Sequence, residues 1–399
     1  MRIAVLRQGL FEVDPRCQRE VHALLQEGHE VDVICRRDEG RPWIERDGRL
    51  TVRRLPIPLR RGGALTYLAD YAVFFVAAFV LLTWLHARRR YKLVQVHSLP
   101  DPLVFAALVP KLTGARVILD LHECMPEFAA TKFGVPLDHS AVRAVAAAEQ
   151  ASIRFADFAI TCTNQMREAF VGRGADPDKI GVVHNTAEEE IFDPSRHPPS
   201  TRSNGRFTLI CHGSVEERYG LDTAINAVAS LADEIPELRL QIYGKGTQLP
   251  ELRELANQLD VRDRVDFTGT WVPIEELLDA IAAADGGIVA MKRDPFRDLV
   301  HCNKMYDLVA MRRPVITSRT RSVEAYFSDE AFLWFTAEDH EDLARAIKKL
   351  YGDPALGERL VERAGEEVEP YRWPRQREQY KRYVLSAVSA SRPVADGDV

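Results

Sequence analysis

Residues 193–220 read DPSRHPPSTRSNGRFTLICHGSVEERYG. Asp193–Gly205 is polar and proline-rich, the composition of a linker. Phe207–His212 is an apolar run of strand length that runs directly into Gly213 and Ser214. A linker followed by a fresh strand says that the chain starts again here, as if from a new N-terminus. The fold class rests on what stands on either side.

Before the linker, short apolar runs alternate with amphipathic stretches. Strands are expected at Arg2–Leu6, Glu30–Cys35, Thr51–Leu55, Leu93–His97, Arg116–Asp120, Phe158–Thr161 and Ile180–His184. Helices are expected at Cys17–Glu27, Leu65–Arg89, Leu103–Thr113, Ala141–Phe155 and Asn164–Arg173. After it the pattern repeats, with strands at Phe207–His212, Leu238–Tyr243, Val265–Thr268, Gly287–Ala290, Val315–Thr317 and Phe332–Phe335. The helices between them are expected at Leu221–Ala232, Gln248–Leu259, Ile274–Ala284, Asn303–Met311 and Glu341–Tyr351, with a last one at Trp373–Val388. Strand–helix alternation is the signature of parallel α/β construction. The reading is therefore α/β, with two facing, doubly wound Rossmann-like domains and a ligand cleft between them at the C-terminal strand ends. The expected boundaries are 1–190 for the first domain, 191–205 for the linker, 206–370 for the second domain and 371–390 for a C-terminal helix.

The bulk numbers fit this division. At 399 residues the chain is too long for one ordinary core. A net charge of −6 argues against a nucleic-acid binder, whose phosphate contacts need a basic face. Six scattered cysteines without a CxxC fit a reducing cytoplasm. MRIAVL reads as a strand, because its apolar run is too short for a signal peptide.

Tyr71–Ala87, YAVFFVAAFVLLTWLHA, complicates the soluble reading. It is nearly all apolar, ends on Arg88–Arg90, and has Arg53, Arg54, Arg60 and Arg61 upstream. Three readings stay open: a helix buried in the core, a helix resting in a lipid interface beside anionic headgroups, or a marginal span. The second would add a peripheral membrane contact through Tyr71–Arg90, at the inner face of the cytoplasmic membrane.

Three loops of the second half stand where ligands are held. Gly213 and Ser214 follow one strand, with Arg218 placed to pair with a phosphate. Gly244, Lys245 and Gly246 follow the next. In Asn303–Ser318, NKMYDLVAMRRPVITS, Asn303 is expected to cap a helix whose N-terminus, with Lys304, seats a phosphate. Asp307 lies one turn on, as a hydrogen-bond acceptor for a hydroxylated ligand or as an ion-pair partner of Lys304. In the first half, His97 and the pair His122–Glu123 end adjacent strands. His122 and Glu123 suggest a metal pair, yet no third ligand is spaced to join them. Asp14, Arg16 and Arg19 open the first helix, either to contact an anionic or polyhydroxyl partner or, for Asp14, simply to cap it.

In order along the chain, VHSLP, DLHE, HNTAEEEIF, HGSVEERYG, FTGTWVP and NKMYDLVAMRRPVI resemble the retaining GT-B glycosyltransferases of glycosyltransferase family 4, over about residues 1–385. The resemblance implies a nucleotide-sugar donor held mainly by the second domain, an acceptor by the first, and retention of anomeric configuration without a metal or other cofactor. It also implies a final helix that crosses back to the first domain. By position, Asp307 matches the family's ribose-holding carboxylate and His122 the histidine beside the donor sugar. Arg218 and Lys304 fall near the diphosphate-binding cations, and Asn185 in the turn at the domain junction. On this basis His122, Arg218 and Lys304 are the catalytic candidates. Gly213, Ser214, Gly244, Lys245, Asn303 and Asp307 are the donor-binding candidates, and Asp14, Arg16, His97 and Glu123 face the acceptor.

Three departures stand out. Leu299 occupies the place of the family's first glutamate, whose role would pass to Asp298, Arg297 or backbone N–H groups of His301–Asn303. Tyr219 stands where a lysine normally precedes the glycine. The glycine-rich loop after the first strand is reduced to Gly9 before LFEVDPR. The expected activity is transfer of a hexose-like sugar, with a UDP-sugar favoured, to a glycan, lipid-linked or glycoconjugate acceptor of the cell envelope. A catalytically inactive partner subunit and a nucleotide-sugar epimerase are the competing readings.

Overall fold

The computed structural model describes residues 1–57, 64–198 and 205–389; Arg60 and Arg61 fall outside this range. The chain divides into two compact units, one of Met1–His184 with the segment from Pro374 onward, the other of Asn185–Trp373. The division falls ahead of Asp193, so most of the stretch expected to link the units belongs to the second.

The first unit is built on eight strands: β1 (Arg2–Arg7), β2 (Glu30–Arg36), β3 (Ile44–Asp47), β4 (Leu50–Leu55), β5 (Leu93–His97), β6 (Arg116–Leu121), β7 (Phe158–Thr161) and β8 (Ile180–Val182). Their order is β3-β4-β2-β1-β5-β6-β7-β8, and every pairing is parallel except β3 with β4. β5 is buried at all five positions, as a strand covered on both faces must be. The order reverses direction between β1 and β5, so the crevice at their carboxyl ends is this sheet's switch point.

The second unit carries β9 (Phe207–His212), β10 (Leu238–Tyr243), β11 (Val265–Phe267), β12 (Gly286–Val289), β13 (Val315–Ser318) and β14 (Leu333–Phe335). Their order is β11-β10-β9-β12-β13-β14, all parallel, with the switch point between β9 and β12. One apolar cluster joins Leu209, Leu240 and Ile316 to the helices Leu221–Ser230 and His340–Gly352. A second joins Ile210, Val289 and Val315 to the helices Ile274–Ala283 and Asn303–Ala310.

The C-terminal helix Trp373–Val388 packs within the first unit. Gln376 Oε1 accepts from the His184 backbone N–H at 2.7 Å, and Tyr383 stacks near Phe158 with ring centroids 5.0 Å apart.

The Ala64–Arg89 helix is neither wholly core nor wholly free. Phe74, Ala78, Leu82 and Leu85, spaced at helical intervals, are buried, and the three larger side chains stabilise the unit by about 1.5–3 kcal/mol each. Val73, Val76, Val80 and Trp84 on the other face are 49–60% exposed.

Candidate active site

The donor-side residues lie at the switch point of the second sheet. β9 ends at His212, and Gly213 follows with φ +93°. A Cβ there would lie 2.7 Å from Lys304 Cε, so glycine at 213 lets the lysine pass over the backbone. Gly244, at φ +139°, is tighter still, since a Cβ would lie 1.9 Å from the Gly213 carbonyl oxygen. The two loops are laced together: Gly213 N–H donates to Tyr243 O at 2.8 Å and Val215 N–H to Lys245 O at 3.0 Å. The three loops read from the sequence do converge.

Lys304 donates to Ser214 O at 3.2 Å and places its ammonium 3.4 Å from the Tyr219 ring centroid. The Arg218 guanidinium is 5.2 Å from the same ring. Tyr219, which stands where a lysine was expected, thus carries a cation brought from another element, held by the ring's quadrupole. Among the described residues neither Arg218 nor Lys304 has a carboxylate partner, and burial pushes the Lys304 pKa down. Lys245 is exposed and also unpaired. Lys304, desolvated, and half-buried Arg218, neither held in a salt bridge among the described residues, gather near a helix N-terminus and make a seat for an anion.

Several expectations change here. Asn303 does not cap the helix. Cys302 holds the cap position without a side-chain bond, and Asn303 is the first helical residue. Asp307 forms no ion pair with Lys304; it accepts instead from His212 Nε2 at 3.1 Å, because Lys304 turns toward Ser214. Leu299 is buried, and Asp298, offered as a substitute, is held by Arg293 at 2.9 Å and by the Arg321 backbone N–H at 3.1 Å. Arg297 is paired with Asp294 at 2.9 Å. His301 is held by the Tyr306 hydroxyl at 2.7 Å and Ser322 O at 3.2 Å, and burial brings its pKa down to about 4.

The first unit's residues lie at the carboxyl ends of β1, β5 and β6. Asp120, with no exposed surface, accepts from Arg16 Nε at 2.8 Å and Nη2 at 2.9 Å. His97 Nδ1 lies 3.0 Å and His122 Nε2 3.2 Å from its Oδ2. Burial opposes its ionisation, but Arg16 and His122 hold the carboxyl well below the usual range. Arg16 Nη1 also donates to Val183 O at 2.7 Å.

Beneath this lies a buried chain. The Tyr380 hydroxyl donates to Gln95 Oε1 at 2.6 Å, and Gln95 Nε2 donates to Glu20 and faces His97 Nε2 at 3.2 Å. With Nε2 accepting, the His97 proton sits on Nδ1 and points to Asp120, so that His122 Nε2, 3.0 Å from Nδ1, carries its own proton to the same carboxylate. Burial, then Asp120, push the Glu20 pKa well above its ordinary value. Burial lowers the His122 pKa despite Asp120, which favours the neutral ring. Its backbone N–H donates to Ser98 Oγ at 3.0 Å, and among the described residues its Nδ1 has no partner.

His97 and Arg16, expected to face the acceptor, are therefore buried supports, because each is consumed by the Asp120 network. Asp14 caps its helix by accepting from Cys17 N–H at 3.0 Å and pairs with Arg7 at 2.7 Å. Glu123 is half-buried. Among the described residues the expected pair of His122 with Glu123 does not form a ligand group; His97, Asp120 and His122 instead bring ligand atoms within 4.8 Å of one another. His97 comes from the neighbouring strand, where sequence spacing cannot see it, and Arg16 already supplies Asp120 with positive charge.

Gln95, Glu20, His212 and Tyr380 escaped the sequence reading. A glutamine inside the apolar run LVQVH and a histidine before Gly213 were available signals. Nothing local marked Tyr380.

Two Rossmann-like units, each with polar groups gathered at its switch point and one with cations gathered near a helix N-terminus, define an α/β protein of two-domain type with a candidate anion site. Residues 13–186 match the glycosyl transferase 4-like domain, and residues 206–353 match glycosyl transferases group 1. The chain belongs to the GT-B glycosyltransferases. It is 27% identical over 245 residues to D-inositol 3-phosphate glycosyltransferase of Corynebacterium glutamicum, a match covering 56% of each chain. It is 22% identical to alpha-D-kanosaminyltransferase of Streptomyces kanamyceticus, over 81% of this chain and 86% of that one. The chain thus spans about half the length of the first of these relatives. Sucrose-phosphate synthase of Thermosynechococcus elongatus shares the fold at TM-score 0.77 and 20% identity, over 98% of this chain and 100% of that one. Anabaena Alr3699/HepE, solved with UDP and glucose, shares it at TM-score 0.72 and 13% identity, over 97% and 100%.

Proposed function

We infer that the protein transfers a sugar from a nucleotide-sugar donor, a UDP-sugar in preference, to a glycan, lipid-linked or glycoconjugate acceptor, with retention of configuration and without a metal. The carrying observation is the pair Arg218 and Lys304, two cations at one strand-end corner with no carboxylate in salt-bridge contact among the described residues. They would bind the donor diphosphate and stabilise the charge that grows on it as the anomeric bond breaks. Gly213, Ser214, Gly244, Lys245 and Asn303 would line this corner, and Asp307, steadied by His212, would accept from ribose. His122 would offer its free Nδ1 as acceptor to a donor-sugar hydroxyl, its other nitrogen being fixed by Asp120. The bond from the anomeric carbon to the diphosphate breaks and the acceptor oxygen takes its place, its proton leaving with the diphosphate.

HepE's bound UDP and the naming of a Rhizobium meliloti relative, 28% identical over 182 residues, as lipopolysaccharide core biosynthesis glycosyltransferase LpsD support a UDP-sugar and a cell-envelope acceptor. Donor breakdown with and without candidate acceptors, in the wild type and in His122→Ala, tests this. Acceptor-dependent release of nucleoside diphosphate that His122→Ala loses is the expected result. A changed sugar nucleotide without acceptor would point to an epimerase, and neither binding nor release to an inactive partner subunit. Thermal shifts across UDP-, GDP- and ADP-sugars identify the base.

A further inference from the structure

We propose that the outer face of the Ala64–Arg89 helix is a docking surface for an anionic phospholipid membrane, on which the helix lies flat without crossing. From Leu68 to Arg89 the helix is long and apolar enough to span a bilayer, yet only 28% of its most apolar window is buried. The exposed side is a continuous stripe. Leu68, Val73, Val76, Val80 and Trp84 recur at intervals of three to five residues, each 49–65% exposed. Between Tyr71 and Ala87 no charged side chain interrupts it. At about 1.5 Å per residue the stripe is about 24 Å long, an extended contact rather than a single exposed residue.

The opposite face fixes the orientation. Phe74, Ala78, Leu82 and Leu85 are buried in the unit's core. Near its start the helix is tied by Asp70 to Arg36, and at its end by Arg89 to Asp32 at 2.6 Å and by His86 to Thr113 at 2.9 Å. Crossing a bilayer would extract this face and break buried ion pairs, whereas lying in the interface disturbs neither.

The charge pattern selects the occupant. Asp70, the helix's acidic residue within the stripe's length, is buried in its pair with Arg36. Arg88, stacked over the Trp84 ring at 3.8 Å, and Arg90 are exposed at the stripe's end, followed by exposed Lys92. Apolar residues to enter the acyl boundary, a tryptophan at headgroup level and cations beside it fit an anionic lipid surface. A second copy of the same face would bring like charges together. The surface would hold the protein where a lipid-linked acceptor is found, but it stands on its own observations and not on the transfer reading.

Sedimentation of the full chain with vesicles of phosphatidylcholine, with and without phosphatidylglycerol, tests the proposal. The wild type is expected to pellet with the anionic vesicles. Val76→Ser with Val80→Ser abolishes pelleting, and Arg88→Glu with Arg90→Glu weakens it by at least about fivefold per arginine. A cooperative thermal melt serves as the control that each variant folds, while loss of UDP binding in the wild type would undo the transfer reading without touching this one. The arginine variants, remote from the core, keep the test alive if the serine pair misfolds. Equal recovery in the supernatant with every vesicle overturns the proposal, as does binding indifferent to phosphatidylglycerol. A dimer in solution that the serine pair dissolves, without vesicle binding, assigns the face to a second copy and overturns it as well.

Discussion

The two switch points treat charge in opposite ways. In the first unit, Asp120 is fully buried and answered by Arg16, His97 and His122, while burial pushes the neighbouring Glu20 pKa up. In the second, among the described residues, Arg218 and Lys304 are left without a salt-bridged carboxylate. A satisfied buried network fixes geometry, whereas an unsatisfied cation destabilises its own fold slightly and becomes a site. The first unit's polar residues thus serve chiefly to position His122, and the second unit's to bind.

The largest expected effect falls on the satisfied side. Asp120→Asn leaves buried Arg16 with only its longer contact to Glu20, at 3.5 Å, and should cost about 3–5 kcal/mol of stability, read in denaturant melts. A smaller loss would mean that Arg16 is less committed than its bidentate geometry implies.

The unsatisfied side should respond in the reverse manner. Lys304→Met is expected to leave the ligand-free protein as stable as the wild type, or more so, and to weaken UDP binding on the order of a hundredfold by calorimetry. A variant that melts early but binds UDP normally would break the contrast between the units.

Asp101 sharpens it through pH. Burial, with Glu149 nearby, raises this carboxyl to about 8, so the folded state holds its proton while the unfolded state has released it above about 4. The folded state therefore binds more protons between these values, and stability falls as pH rises from about 4 through about 8. Asp101→Asn should flatten that decline in melts at pH 6 to 8. An unchanged slope would show that the group ionises freely.

Tyr380→Phe is the smallest change. It removes the hydroxyl that holds Gln95 and should cost about 1 kcal/mol in thermal melts. UDP affinity is expected to stay the same, because the second unit's cations are untouched.

Strand limits were legible where buried apolar runs meet glycine: Phe207–His212 and Leu238–Tyr243 have the bounds read from their sequence. β3 was missed because its four residues are all exposed, so no burial pattern marks it, and it pairs through the Gly48–Arg49 turn. The helices Met125–Phe133 and Pro354–Val368 were missed although each has proline in its first turn. Leu103–Thr113 was read as one helix but begins as a 3-10 turn at Asp101–Ala107.

The sequence by itself determined two α/β halves, the three glycine- and lysine-bearing loops of the second, and the apolar length of Tyr71–Ala87. These are local matters, set by periodicity, strand ends and composition. Only the tertiary structure decided that Lys304 lies on the Tyr219 ring, that His97 and Arg16 are supports, and which face of the apolar helix is left open. Those outcomes depend on burial and on partners up to 285 residues away, as Tyr380 is from Gln95. Residue spacing along a chain carries no record of such pairings, because a side chain's charge and reach gain meaning only from what packs around it.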